Sequence, residues 1–164
     1  MANPYLQAAV AAAALTLSAP AAAQQAETYG DWSVRGAAPG GVTASTATPA
    51  GSLFGVVCDR STCDAFFNPK ILCEEGREYP ALLIGSRTPA FAVRLHCAKI
   101  GEYHAFTLPL DEGLAEVIAG GGDLGIAFPL DSGEFGEARF SLTGAGQALT
   151  RARERAGASA GPGA

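Results

Sequence analysis

The sequence predicts a mainly β fold: an antiparallel sandwich or barrel-like sheet with two short helices in its C-terminal half. Three observations predict it. Short apolar runs recur at close spacing, with Gly, Pro, Asp and Ser clustered between them. Two stretches near the C-terminus, 112–119 and 144–155, read as helices instead. Four cysteines, Cys58, Cys63, Cys73 and Cys97, lie among the runs, an even number that suits the stapling of one small domain.

The order of elements starts with an export segment. Met1–Gln7 is a short polar start, Ala8–Ala23 is small and apolar, and Ala21-Ala22-Ala23 offers an A-x-A cleavage site before Gln24. We read 1–23 as a signal peptide, although its first residues carry no Lys or Arg. The competing reading is a retained anchor. An apolar core of about 16 residues falls short of the roughly 20 that span a bilayer. Residues 24–155 then form one disulfide-stapled domain, and 156–164, all small residues, a disordered tail.

Tyr29–Arg35 alternates and reads as one half-buried strand carrying the only tryptophan, Trp32. Gly36–Ser52 is nearly all Gly, Ala, Thr, Ser and Pro, and reads as a flexible loop. Leu53–Cys58 and Cys63–Phe67 make a hairpin around Asp59–Thr62. Tyr79–Ile84 is apolar on both faces, with Pro80 placing its start at an edge or bulge. In Phe91–Cys97 the residues Phe91, Val93, Leu95 and Cys97 point one way and Ala92, Arg94 and His96 the other. Tyr103–Leu108 follows. Asp111 is the expected N-cap of a helix over Glu112–Ala119, which Gly120-Gly121-Gly122 ends. Leu124–Pro129 and Glu137–Leu142 pair as a hairpin, and a last helix runs from Gly144 to Arg155 with three arginines near its negative end.

In an oxidising compartment four cysteines pair, in one of three ways. Cys58–Cys63 with Cys73–Cys97 is favoured, because a four-residue hairpin loop sets Cys58 opposite Cys63. The second bridge closes a loop of about 25 residues, worth roughly 3.5 kcal/mol of chain entropy.

The net charge of −5 lies wholly in the mature part and makes nucleic acid and anionic lipid poor partners. No later stretch is long and apolar enough for stable membrane insertion. Nine Arg against two Lys, with abundant Ala and Gly, point to a GC-rich bacterial genome. The compartment is then periplasmic or secreted.

Tyr29–Val34 (Tyr-Gly-Asp-Trp-Ser-Val) resembles the opening "gDWxV" strand of the invasion-associated locus B family. Pro109–Gly120, Leu124–Phe128, Phe140–Gly144 and Gln147–Leu149 follow that family's C-terminal order of helix, strand and strand-to-helix step. The resemblance covers roughly 50 residues at the two ends. It implies a β-rich exported bacterial domain with disulfides, linked to host-cell invasion and without an established catalytic activity. Gly36 stands where the family usually has a cysteine, and Tyr103–Leu108 lacks the family's pair before the helix.

Three chemistries have candidate residues in the chain. Zinc has ligands in Cys58, Cys63, Cys73, His96, Cys97 and His104, but zinc sites use paired short spacings at both ends and only Cys58-x4-Cys63 comes near one. Thiol redox work wants C-x-x-C at a helix N-terminus, and Cys58 and Cys63 sit in a hairpin instead. Hydrolysis lacks a Gly-x-Ser-x-Gly elbow. His104 shares a face with Phe106 and Leu108, His96 lies beside Arg94 on the polar face, and Glu74, Glu75 and Glu78 read as a charged turn. We therefore expect no cofactor, no metal and no catalytic residue. The expected function is an exported non-catalytic binding or structural protein of the bacterial envelope, contacting a protein or another envelope component. The alternative is a periplasmic enzyme or metal/thiol protein using His96, His104 and the cysteines. Gly36–Ser52 and Asp59–Thr62 are the expected contact loops.

Overall fold

The computed structural model describes residues 26–37, 40–100, 103–130 and 132–158. The expected signal peptide, 1–23, lies outside the described residues, as does 159–164 of the expected tail.

Ten strands form a single antiparallel sheet: β1 (Glu27–Tyr29), β2 (Trp32–Ala37), β3 (Gly41–Ala47), β4 (Leu53–Cys58), β5 (Cys63–Asn68), β6 (Glu78–Gly85), β7 (Phe91–Ile100), β8 (Tyr103–Pro109), β9 (Asp123–Pro129) and β10 (Phe135–Ser141). Helix α1 (Glu112–Ala119) follows β8, and α2 (Ala145–Ala158) closes the described chain. The strand order is β1-β2-β3-β4-β5-β8-β7-β6-β9-β10. Among the described residues no ladder joins the two edges, so the sheet is not closed into a barrel.

Register puts nearly every large apolar side chain on one face. Val34 pairs with Ala44, Ala44 with Val56, Val56 with Ala65 and Ala65 with Leu108, while Leu83 pairs with Ile126 and Ile126 with Ala138. All are buried. A period of two with such register leaves one dry face and one wet face.

The sheet curls so that its halves meet through this dry face. Phe54 of β4 and Phe67 of β5 touch Phe140 of β10, with ring centroids 5.6 and 5.9 Å apart. Phe67 also packs on Phe128 of β9 at 5.1 Å and on Phe106 of β8 at 6.1 Å. Each such pair adds about 0.5–1.5 kcal/mol beyond the area buried. The remaining gap is sealed by hydrogen bonds from turns. The Trp32 indole N–H donates to the Ser141 carbonyl at 2.8 Å, and the Asp31 N–H to the Thr143 carbonyl at 3.0 Å.

The single strand expected over Tyr29–Arg35 is in fact a tight hairpin. Tyr29 pairs with Trp32 across Gly30-Asp31. Gly30 has φ 55°, and two-residue hairpin turns need such a residue. The turn presses on Gly144, φ 82°, where a Cβ would run into the Tyr29 carbonyl.

The loop expected over Gly36–Ser52 is corrected by β3. Val42, Ala44 and Thr46 are buried, and β3 pairs with β2 on one side and β4 on the other. Its alternation is real but is written in small residues. Small side chains suit this place, because α2 packs on β3 through its own alanines, Ala145, Ala148, Ala152 and Ala156. The same packing corrects the tail: Ala156 is buried and helical, so the domain extends through α2 to Ala158 instead of ending at Arg155.

Tyr79–Ile84, expected to be buried because it is apolar on both faces, is buried on one only: Ala81 and Leu83 face the core while Leu82 is exposed. The remaining elements match expectation. The Asp111 carboxylate accepts the Leu114 N–H at 2.8 Å as N-cap of α1, which buries Leu114, Val117 and Ile118. Pro80 lies in β6 before its ladder with β9 begins at Leu82, so it sits where β6 has one neighbour.

Candidate functional site

Each cysteine is paired. Cys58 and Cys63 are direct cross-strand partners with Cα atoms 4.0 Å apart, and Cys73–Cys97 ties the segment between β5 and β6 to β7 with Cα atoms 6.0 Å apart. Disulfide-bonded sulfur offers neither a thiolate for zinc nor a nucleophile. The histidines sit apart from each other. His96 pairs with Thr107 and shares its outer face, whereas His104 pairs with Lys99 and lies on the face of Phe106 and Leu108. Among the described residues no three His, Cys, Asp or Glu side chains converge as a metal site. Glu74 bonds Arg77 at 2.9 Å, the Arg77 N–H donates to the Glu74 carbonyl, and Gly76 turns the chain with φ 81°. Glu74, Glu75 and Glu78 therefore edge a charged turn.

The Asp59–Thr62 turn, expected as a contact loop, projects next to the first disulfide. The Asp59 carboxylate accepts the Ser61 and Thr62 N–H groups at 2.7 and 2.8 Å. Those backbone bonds, Ser61's first, hold its pKa below the ordinary value. Clefts of about 570 and 320 Å³ flank the turn, one toward Gly41 of β3 and one toward Arg153 of α2. Of the expected loop Gly36–Ser52, the rim at Gly40-Gly41 reaches the first of these clefts.

A different place was missed in the sequence. Where β5 ends, the chain leaves β8 and opens an apolar groove of about 450 Å³ lined by Leu53, Asn68, Lys70, Ile71, Leu72, Tyr103 and His104. Leu72 is 85% exposed and Tyr103 72%, both large apolar bodies facing water. Lys70 makes the divergence possible. It has φ 63°, the one non-glycine residue in the left-handed region among those described, and its N–H donates to the Asn68 side-chain carbonyl at 2.8 Å. Its ammonium lies over Gly51, where a Cβ would collide with it. The sequence signal was the Asn68-Pro69-Lys70 turn, weak without the neighbours it faces.

At the sheet's first edge, the Glu27 carboxylate accepts hydrogen bonds from Arg151 at 2.7 and 3.1 Å, from Arg155 at 3.3 Å and from the Tyr29 hydroxyl at 2.9 Å. The Arg151 guanidinium, first, and the Tyr29 hydroxyl hold the Glu27 carboxyl below its ordinary pKa. This cluster fastens β1 to α2.

No family model matches the chain, and no curated protein matches it. Among solved structures, invasion associated protein B from Bartonella henselae is similar, with a TM-score of 0.57 over 78% of this chain and 95% of that one. At 14% identity, what this chain shares with that protein is its fold.

Proposed function

We propose that this chain is an exported, non-catalytic binding or structural protein of the bacterial envelope, acting outside the cytoplasm in contact between the bacterium and a host cell. The observation that carries the reading is the apolar groove with Leu72 and Tyr103 at its mouth, on a segment pinned by the Cys73–Cys97 bridge. Exposed apolar patches on small domains mark contact surfaces. Two disulfides suit the oxidising compartment that a periplasmic or secreted protein meets. Among the described residues no helix is long and apolar enough to cross a membrane. The fold likeness to a protein named as invasion associated supports the host-directed part.

Thiol trapping during fractionation of the native bacterium tests the export. The expected result is a periplasmic or culture-medium species that lacks residues 1–23 and has no alkylatable thiol. Recovery from the cytoplasm with four free thiols would overturn the reading. Host-cell entry by a deletion strain tests the finer part: unchanged entry removes the invasion role.

A further inference from the structure

We propose that the groove between the end of β5 and the start of β8 docks an extended segment of a partner polypeptide, one that presents an apolar side chain beside a carboxylate. The inference rests on the reading of the chain as a binding protein and names the chemistry of its partner.

Shape comes first. At about 450 Å³ the groove has the size of ligand-accepting cavities, and its walls are mainly aliphatic and aromatic. Exposed apolar surface gathers at its mouth: Leu53 is 39% and Leu72 85% exposed, as are Tyr103, 72%, and its cross-strand partner Ile100, 42%. Desolvating these is the gain that an apolar side chain from a partner brings.

The backbone favours an extended ligand. The β5–β8 ladder stops at Phe67 opposite Phe106, while β8 continues to Tyr103 paired only with β7. Among the described residues no backbone hydrogen bond links Pro69–Cys73 to β8. Tyr103 and His104 therefore offer a short strand edge on the groove side, and an added strand satisfies such an edge.

Charge selects the partner. The chain carries −5 overall and two lysines, Lys70 and Lys99. Lys70 stands in the groove, without an ion-pair partner among the described residues and with no Asp or Glu in the lining. Lys99 sits opposite His104, another lining residue. Holding Lys70 at φ 63° costs conformational energy, which the Asn68 side chain offsets by accepting the Lys70 N–H, and the ammonium occupies the space over Gly51. A cation lining an apolar groove complements a carboxylate next to an apolar side chain.

The test is selection of a random heptapeptide library with free C-termini on the purified oxidised chain. We expect enriched peptides with alternate apolar residues and an Asp, a Glu or the terminal carboxylate beside them. Made as soluble peptides, they bind about tenfold more weakly to Lys70→Gln and to Leu72→Glu, and binding slows amide exchange at Tyr103 and His104. Both substituted residues are exposed, and unchanged Trp32 fluorescence checks the fold. Several outcomes overturn the proposal: no enrichment, enrichment of basic peptides, or binding that survives both substitutions. Two more do so by naming another occupant. These are sedimentation showing self-association that Leu72→Glu abolishes, and binding to phosphatidylglycerol vesicles through the same residues. Because the selection uses purified protein, its failure leaves the export result standing, and a failed export result leaves the selection interpretable.

Discussion

Replacing Cys73 or Cys63 by Ala separates the two bridges by the length of chain each one closes. Both variants remove the half-exposed member of a pair and leave a fully buried cysteine behind, Cys97 in one case and Cys58 in the other. The cost of the leftover thiol therefore largely cancels between them. What differs is the loop: at sequence separations of 24 and 5, the Cys73–Cys97 bridge closes about 25 residues and the Cys58–Cys63 bridge about 6, cysteines included. Chain entropy then assigns about 3.5 kcal/mol to the longer bridge and about 2.2 kcal/mol to the shorter. Local structure widens the gap. β4 and β5 pair through their whole ladder without the sulfur atoms, whereas the segment after β5 has few other ties to β7, chiefly the backbone bonds of Gly76 and Arg77 with Cys97. Urea unfolding followed by Trp32 fluorescence measures both. We expect Cys73→Ala to lose at least about 1 kcal/mol more than Cys63→Ala. Equal losses, or a larger loss from Cys63→Ala, would refute the loop-length reasoning.

Phe67→Ala empties the point where three other rings meet, and should cost about 3–5 kcal/mol in urea unfolding; a loss under about 1 kcal/mol would mean the halves of the sheet do not meet there. Gly144→Ala forces a Cβ against the Tyr29 carbonyl at φ 82°, and a loss of about 1–3 kcal/mol is expected, with Gly157→Ala, a helical site that meets nothing nearby, as the control that loses nothing and gains up to about 1 kcal/mol. Glu27 has a carboxyl pKa lowered from 4.5 by Arg151 and Tyr29, so its bonds stabilise the fold at neutral pH. That contribution disappears as acid protonates the carboxylate below about pH 4.5. The Tm difference between the parent and Glu27→Gln should accordingly shrink through that range, and a difference that stays constant in acid contradicts the assignment.

Legibility followed the strength of local signals. The hairpin at Cys58 and Cys63 announces itself through alternation on both sides of a polar turn, and register then places the two sulfurs together. Helix α1 shows itself by its cap and its glycines. β3 stayed hidden because Val42, Ala44 and Thr46 alternate in volume too little to stand out from Gly, Ser and Thr neighbours. Their burial depends on an α-helix about a hundred residues later, which no local window contains. The groove was illegible for the same reason. Leu53, Leu72 and Tyr103 belong to separate elements, and only the divergence of β5 from β8 assembles them.

The contacts that seal the curled sheet span 109 residues from Trp32 to Ser141 and 124 from Glu27 to Arg151. The strands made first therefore keep part of their apolar face uncovered until β10 and then α2 are made. A ribosome or a translocation pore delivers β1–β4 long before α2, so chaperones have a substrate for most of synthesis. Truncation before Ala145 leaves Val34 and Ala44 without the helix that packs over β2 and β3. The fold is thus complete only once α2 is in place: a chain cut before Ala145 is expected to be digested by protease faster than the full chain, and equal digestion would contradict this.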